Sequence, residues 1–179
     1  ENHSPELGDS HNFGRYTHSD IIDGKKFFRK YRNLFWEWLL FDESAPLCET
    51  LKSFMPESFI KTTFGLKIQQ PFEKNSGLVE AFTSEIAFKE IVYDEATYHN
   101  LGIQCAYFST MGIIDLTLEN LKIINRGVQV IDAECVFSVT SSLEDSFLFP
   151  HNGRKFSANF GLFPFFYDVK RGKRWIINQ

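Results

Sequence analysis

Long apolar runs are missing from this chain: none approaches the ~20 residues that a membrane-spanning helix needs, and its most hydrophobic stretch, residues 27–41, is interrupted by charges. No membrane span is expected. Cysteine is scarce, and Cys48, Cys105 and Cys135 are far apart, odd in number and without CxxC pairing or a nearby His at metal-ligand spacing. They read as buried small hydrophobes, which favours a reducing compartment such as the cytoplasm, while one disulfide plus a free thiol stays open. Cationic excess is also absent: 19 basic against 23 acidic residues give a net charge of −4. Nothing in that balance draws the chain to nucleic acid or anionic lipid. Nucleophile elbows, phosphate loops, dinucleotide fingerprints and metal signatures are lacking too, so no motif names a reaction and no cofactor or metal is expected. The chain starts at Glu1 rather than at Met, which leaves room for an upstream targeting or anchoring segment, and Asn2-His3-Ser4 is a formal glycosylation sequon.

What is abundant is aromatic. Of 179 residues 16% are aromatic, 20 of them Phe, against 43% hydrophobic and 23% charged overall. Seven rings fall between Phe156 and Trp175 alone, in KFSANFGLFPFFYDVKRGKRW. Length and composition suit one core, and the rings would line or fill something large.

Residues 1–18, polar and rich in Gly, Pro and His without periodicity, are expected to form a flexible arm, with a single domain over 19–179. Ordered structure is expected to begin with an amphipathic helix, because Phe27, Tyr31, Leu34, Trp38 and Phe41 recur at helical spacing and Lys25, Lys26, Arg29, Lys30 and Arg32 take the opposite arc. Trp36 and Leu40 project among those charges, one turn apart. Ser44-Ala45-Pro46 then opens a second short helix that ends near Pro56, and KTTFGLKIQQPF reads as a strand. Residues 75–94 can be written as a helix or as two short strands, and DEATYHNLGIQCAYFS is expected to be helical. Beyond Gly112, IIDLTLENLKII, VQVIDAECVFSVTSS, KFSANFGLFPFFYDV and KRWIIN are β-rich runs joined by turn signals at Asn125-Arg126-Gly127, at Asn152-Gly153 and at Lys170–Lys173, which predicts an antiparallel meander. Alternation would place Ile131, Ala133, Cys135, Phe137 and Val139 on one face, Asp132, Glu134 and Ser138 on the other.

The order of these elements resembles the cystatin-like α+β cone of the NTF2-like superfamily. The likeness is carried by FFRKYRNLFWEWLLFDESAPLCETLKSFMPESF, by LTLENLKIINRGVQVIDAECVFSVT and by the terminal YDVKRGKRWIINQ, over residues 25–179. A helix-grip or lipocalin-like β fold with an N-terminal helix fits the same pattern. The resemblance implies N-terminal helices in the concavity of a curved antiparallel sheet, a cavity walled by Tyr31, Trp38, Phe160, Phe163, Phe165 and Tyr167, and pairing of two copies through the outer sheet face, where Val128, Val130, Glu134 and Val136 would sit. Enzymes of that superfamily place a carboxylate or His in the apolar cone, where desolvation tunes it for proton transfer.

Candidate acid–base residues here are His99, Asp115 and Tyr31, with Tyr98 beside His99, but none is placed decisively. Ile114, Leu116 and Leu118 would share the apolar strand face and turn Asp115 outward; His99 fits a surface role better. Asp132 and Glu134 read as a solvated pair, and Lys170–Arg174 as a soluble tight turn. The contact features are stronger. Trp36 and Leu40, with Arg32 placed to stack on the indole, form the aromatic and Arg cluster typical of interface hot spots; the competing reading folds Phe13 and Tyr16 back over them. The expectation is therefore a non-catalytic protein-binding or assembly module that pairs with a protein partner or with itself. The alternatives are a cofactor-independent isomerase or lyase acting on a hydrophobic small molecule, and an apolar-ligand carrier.

Overall fold

A computed structural model describes residues 7–11, 15–133, 135–138, 165, 167–168 and 173–174, and shows an α+β protein. It divides into two compact units, one of Glu1–Phe54 with Phe64–Thr83, the other of Met55–Thr63 with Ser84–Gln179.

The first unit is built on an antiparallel sheet. Strands β1 (Leu7–His11), β2 (Arg15–Ile22), β3 (Lys25–Lys30), β4 (Ile68–Gln69) and β5 (Gly77–Glu80) lie in the order β1-β2-β3-β5-β4. Two expectations are corrected here. Much of the segment assigned to a flexible arm pairs in β1 and β2, and the first half of the expected long helix is β3. The reason is the dipeptide Asp23-Gly24. Both residues adopt left-handed backbone, φ 50° and 77°, the conformation of a two-residue hairpin loop whose twist matches that of its strands. Gly takes it without strain and Asp tolerates it. Ile22 consequently faces Lys25, Asp20 faces Phe27 and His18 faces Arg29. Phe27 and Arg29 in turn face Glu80 and Leu78 on β5, so His18, Asp20, Phe27, Arg29, Leu78 and Glu80 share one face of the sheet.

Helix α1 (Phe35–Phe41) starts only after β3 has ended. Asn33 Oδ1 accepts the Phe35 N–H at 2.9 Å, a turn that helps launch the helix. Leu34, Glu37, Leu40 and Phe41 are buried, a stripe at helical spacing that carries one carboxylate. At the other end Asp42 leaves the helix in extended conformation. Its buried carboxylate accepts the Ser44 N–H (2.8 Å) and hydroxyl (2.6 Å) on one oxygen and the Ile68 N–H (2.6 Å) on the other. One side chain thus ties the helix end to β4. Helix α2 (Pro46–Leu51) opens with Pro at its first position, as expected.

The second unit holds α3 (Glu57–Thr63), α4 (Glu95–Thr110) and the hairpin β6 (Leu121–Ile124) to β7 (Gly127–Val130). Asp94 caps α4 by accepting the Thr97 N–H at 2.8 Å and the Thr97 hydroxyl at 2.9 Å. These contacts hold its carboxyl below the usual aspartate range, with Arg126 adding to the effect. The hairpin turns at Asn125-Arg126, as expected. The long strands expected on either side do not form regularly: residues 111–120 and 131–138 run alongside one another through bonds such as Ile114 N–H to Cys135 C=O (3.0 Å) and Ile131 N–H to Asn120 C=O (2.9 Å). Left-handed backbone at Asp115 (φ 62°) and Phe137 (φ 54°) interrupts them. The expected alternation fails with them, since Ala133 is buried while Cys135 and Phe137 are exposed. Val128 and Val130, expected on an outer pairing face, are buried within this chain. Strands β8 (Tyr167–Asp168) and β9 (Lys173–Arg174) pair antiparallel, and residues 170–172 of the expected turn lie outside the described residues.

The core of this unit is partly polar. On α4, Thr97, Asn100 and Gln104 are buried beside Leu101, Cys105 and Phe108. Gln104 docks its amide on β7, accepting the Val128 N–H at 3.1 Å and donating to the Val128 C=O at 2.7 Å. Asn100 donates to Thr62 Oγ1 (3.0 Å) and to the Arg126 C=O (2.8 Å), and Gln129 donates to the Thr63 C=O (3.1 Å). A Cβ on Gly127 would lie 2.8 Å from Gln104 Oε1 and 3.1 Å from Asn100 Nδ2, so only glycine lets the amides approach. Burying these groups is tolerable where they are hydrogen-bonded; Asn100 Oδ1 is the exception, buried without a hydrogen-bond partner among the described residues. Burial meanwhile pushes the Cys105 thiol up to about 12, keeping it protonated. Replacing Gln104 by Leu should orphan both backbone groups of Val128 and cost about 2–4 kcal/mol. Chemical denaturation would measure the loss, and one below about 0.5 kcal/mol would show that the docked amide stabilises nothing.

Candidate functional site

The clearest surface feature of the first unit is aromatic. Helix α1 advances about 100° per residue, which leaves Phe35, Trp36 and Trp38 off its buried stripe. Phe72, on the turn after β4, joins them. Ring centroids are 4.7 Å apart for Phe35 and Trp36, 5.1 Å for Trp38 and Phe72, and 6.0 Å for Phe35 and Phe72. The first two pairs meet edge-on, an arrangement worth about 0.5–1.5 kcal/mol beyond burial. Trp36 is nonetheless 43% exposed and Phe72 68%. Asn33 Nδ2 donates to the Glu73 C=O at 3.0 Å, linking the Phe72 turn to the entry of α1, and Trp38 Nε1 donates to Ser44 Oγ at 3.4 Å. The cluster is therefore held in place rather than loosely displayed.

Beneath α1 lies a buried charge. Glu37 forms an ion pair with Arg32, and Lys30 is buried nearby in sequence. Burial pushes the Glu37 carboxyl above its ordinary value, while the Arg32 and Lys30 charges pull it back without cancelling the rise. A second polar group lies on the β2–β3 hairpin. His18 Nε2 is 3.3 Å from Asp20 Oδ1, its Nδ1 is 3.3 Å from the Tyr31 hydroxyl, and Asp20 Oδ2 accepts from Arg29 Nε (2.9 Å) and Nη2 (2.8 Å).

Of the interface residues read from the sequence, Trp36 is at the surface, whereas Leu40 is 1% exposed. Its position in the helix turns it into the stripe with Glu37 and Phe41. Arg32, expected to stack on Trp36, is in the ion pair with Glu37; Glu134 lies outside the described residues. Among the cavity residues, Tyr31 and Trp38 are half-buried in the first unit. Phe165 is buried in the second and its C=O accepts the Tyr98 hydroxyl at 2.9 Å. Phe160, Phe163, Phe13 and the side chain of Tyr167 lie outside the described residues. The acid–base candidates are dispersed: His99 is exposed on α4, and Asp115 is exposed where it accepts from Asn120 Nδ2 at 3.0 Å. Of the three, Tyr31 meets a His, His18, which is in turn beside Asp20, and these come from β2, which sequence reasoning placed in or beside the arm. Asp23-Gly24 between two short runs was the signal that could have found them.

Among the described residues no group of three or more His, Cys, Asp or Glu side chains is placed to hold a metal ion, and no helix is long and apolar enough to cross a membrane. The three cysteines are free thiols, with Cys48 and Cys105 buried and Cys135 exposed. The chain matches no protein-family model and no curated protein sequence.

Glu37 yields a test with a definite sign. Because its pKa is raised in the folded state above 4.5, its stabilising contribution is complete below that value and is lost as pH rises through the folded pKa. An NMR titration should find the Glu37 carboxyl above its ordinary range. The stability difference between the wild type and Glu37→Gln should change in that same window, and a Glu37 titrating at or below 4.5 would contradict the assignment.

Proposed function

We propose that this chain is a non-catalytic protein-binding or assembly module whose contact surface is the cluster of Phe35, Trp36, Trp38 and Phe72, and that a second copy of the chain is its partner. The observation that carries this reading is that Trp36 and Phe72 are exposed yet packed edge-on against neighbouring rings, with the Phe72 turn tied to the helix entry by the Asn33–Glu73 link. Rigid exposed aromatics lose little entropy on binding, which is why Trp is enriched at interface hot spots. A hinge between partners made of long flexible side chains would lack that advantage. An NTF2-like cone is compatible with this role but not required for it.

Native mass spectrometry of the purified chain tests the proposal. The wild type should form a defined oligomer, and Trp36→Ala with Phe72→Ala should shift it to monomer, a loss of at least about tenfold in association constant, with the far-UV circular dichroism unchanged. A wild type that is monomeric at high concentration, or an oligomer indifferent to both substitutions, would contradict it. The carrier and isomerase alternatives predict instead a hydrophobic compound released by denaturing extraction; stoichiometric recovery of one would overturn the assembly reading.

A further inference from the structure

The hairpin turn brings His18, Asp20 and Arg29 to one sheet face and leaves Tyr31 just past the end of β3. The roles of the two imidazole nitrogens depend on the tautomer, and one tautomer suits both neighbours. Asp20 is held by Arg29 through Oδ2 at 2.8 and 2.9 Å and presents Oδ1 to His18 Nε2 at 3.3 Å. A carboxylate oxygen accepts rather than donates, so the tautomer that suits this contact has its ring proton on Nε2. Nδ1 is left with its lone pair directed toward the Tyr31 hydroxyl, 3.3 Å away. Phenol, imidazole, carboxylate and guanidinium thus form an ordered chain, in which Arg29 orients Asp20, Asp20 orients His18, and His18 accepts from Tyr31. An activated nucleophile needs this arrangement: a hydroxyl beside a base, and the base in turn oriented by a third group. The side chains of His18, Asp20 and Arg29 are 33%, 26% and 29% exposed, and Tyr31 is half-buried.

We propose that Tyr31 is a base-assisted nucleophile, an acceptor site for an electrophile bearing tetrahedral phosphorus or sulfur and a good leaving group, with His18 as its base and Asp20 and Arg29 as positioning residues. In the step itself the Tyr31 oxygen forms a bond to phosphorus or sulfur as the bond to the leaving group breaks. The phenolic proton passes to His18 Nδ1, the resulting imidazolium is stabilised by Asp20, and the proton is then released to water. No oxidant or reductant takes part. The alternative role for the four residues is a cross-strand polar network that only stabilises the hairpin.

The two roles separate in the wild-type chain, without any substitution. Tyr16 and Tyr98 are each 38% exposed, more than the half-buried Tyr31, and serve as internal controls. The chain is treated with an aryl sulfonyl fluoride and the labelled tyrosines are quantified by peptide mass spectrometry over time. Tyr31 should react at least about tenfold faster than Tyr16 and Tyr98. His18→Gln should bring Tyr31 down to the rate of the controls, and Asp20→Asn should lower the rate part of the way. If Tyr31 in the folded wild type is labelled no faster than Tyr16 and Tyr98, the proposal is overturned, whether or not the variants fold.

Discussion

The left-handed pair Asp23-Gly24 is the constraint on which the first unit rests. A two-residue loop leaves the strands no freedom of register, so Ile22 must face Lys25 and every pairing back to His18 and Arg29 follows. A slip of one residue would send Asp20 and Phe27 to opposite sides of the sheet, separate Arg29 from Asp20, and remove the base from beside Tyr31. The same turn decides where α1 can begin. Because β3 runs to Lys30, the helix starts at Phe35 with a stripe of Leu34, Glu37, Leu40 and Phe41, and the aromatics on its other arc become surface.

The second unit solves a different problem by related means. Its principal helix carries amides and a threonine where an ordinary amphipathic helix carries leucines: the Gln104 amide meets the Val128 backbone, Asn100 Nδ2 meets the Thr62 hydroxyl and the Arg126 C=O, and Thr97 meets the Asp94 carboxylate. Gln104 behaves toward Val128 much as an adjacent strand would, satisfying one donor and one acceptor with a single side chain. Such a network stabilises only when its members are paired. That is why Gln104, paired at both ends of its amide, is better understood as a fastener of the hairpin than as a binding group, and why Gly127 must stay small.

Part of this was legible in the residues and part was not, for identifiable physical reasons. The α+β class, the helix opened by Pro46, the helix beginning near Asp94 and the turn at Asn125-Arg126 were all announced by local chemistry that tertiary contacts left intact. The strand Lys25–Lys30 was not, because Phe27, Tyr31, Leu34, Trp38 and Phe41 happen to recur at helical spacing across a strand, a linker and a helix. Asp23-Gly24 just ahead of that apparent helix was the contrary signal, since Asp-Gly favours a hairpin. Misplacing the helix start misplaced its stripe, so Leu40 was read as surface. The α4 pattern was blurred because its buried positions include Thr97, Asn100 and Gln104, which hydropathy scores as outside. The His18–Asp20–Arg29–Tyr31 group was invisible for the same reason as the strand: its members come together only when the hairpin is drawn.

The most direct test of this account is an NMR measurement of the backbone from Ser19 to Phe41. Extended-strand chemical shifts over Lys25–Lys30, a cross-strand NOE between Asp20 and Phe27, and helical shifts beginning only near Phe35 are the predicted result. Uninterrupted helical shifts and i,i+3 NOEs from Lys25 through Phe41 would contradict it, and with it the shared face of His18, Asp20 and Arg29.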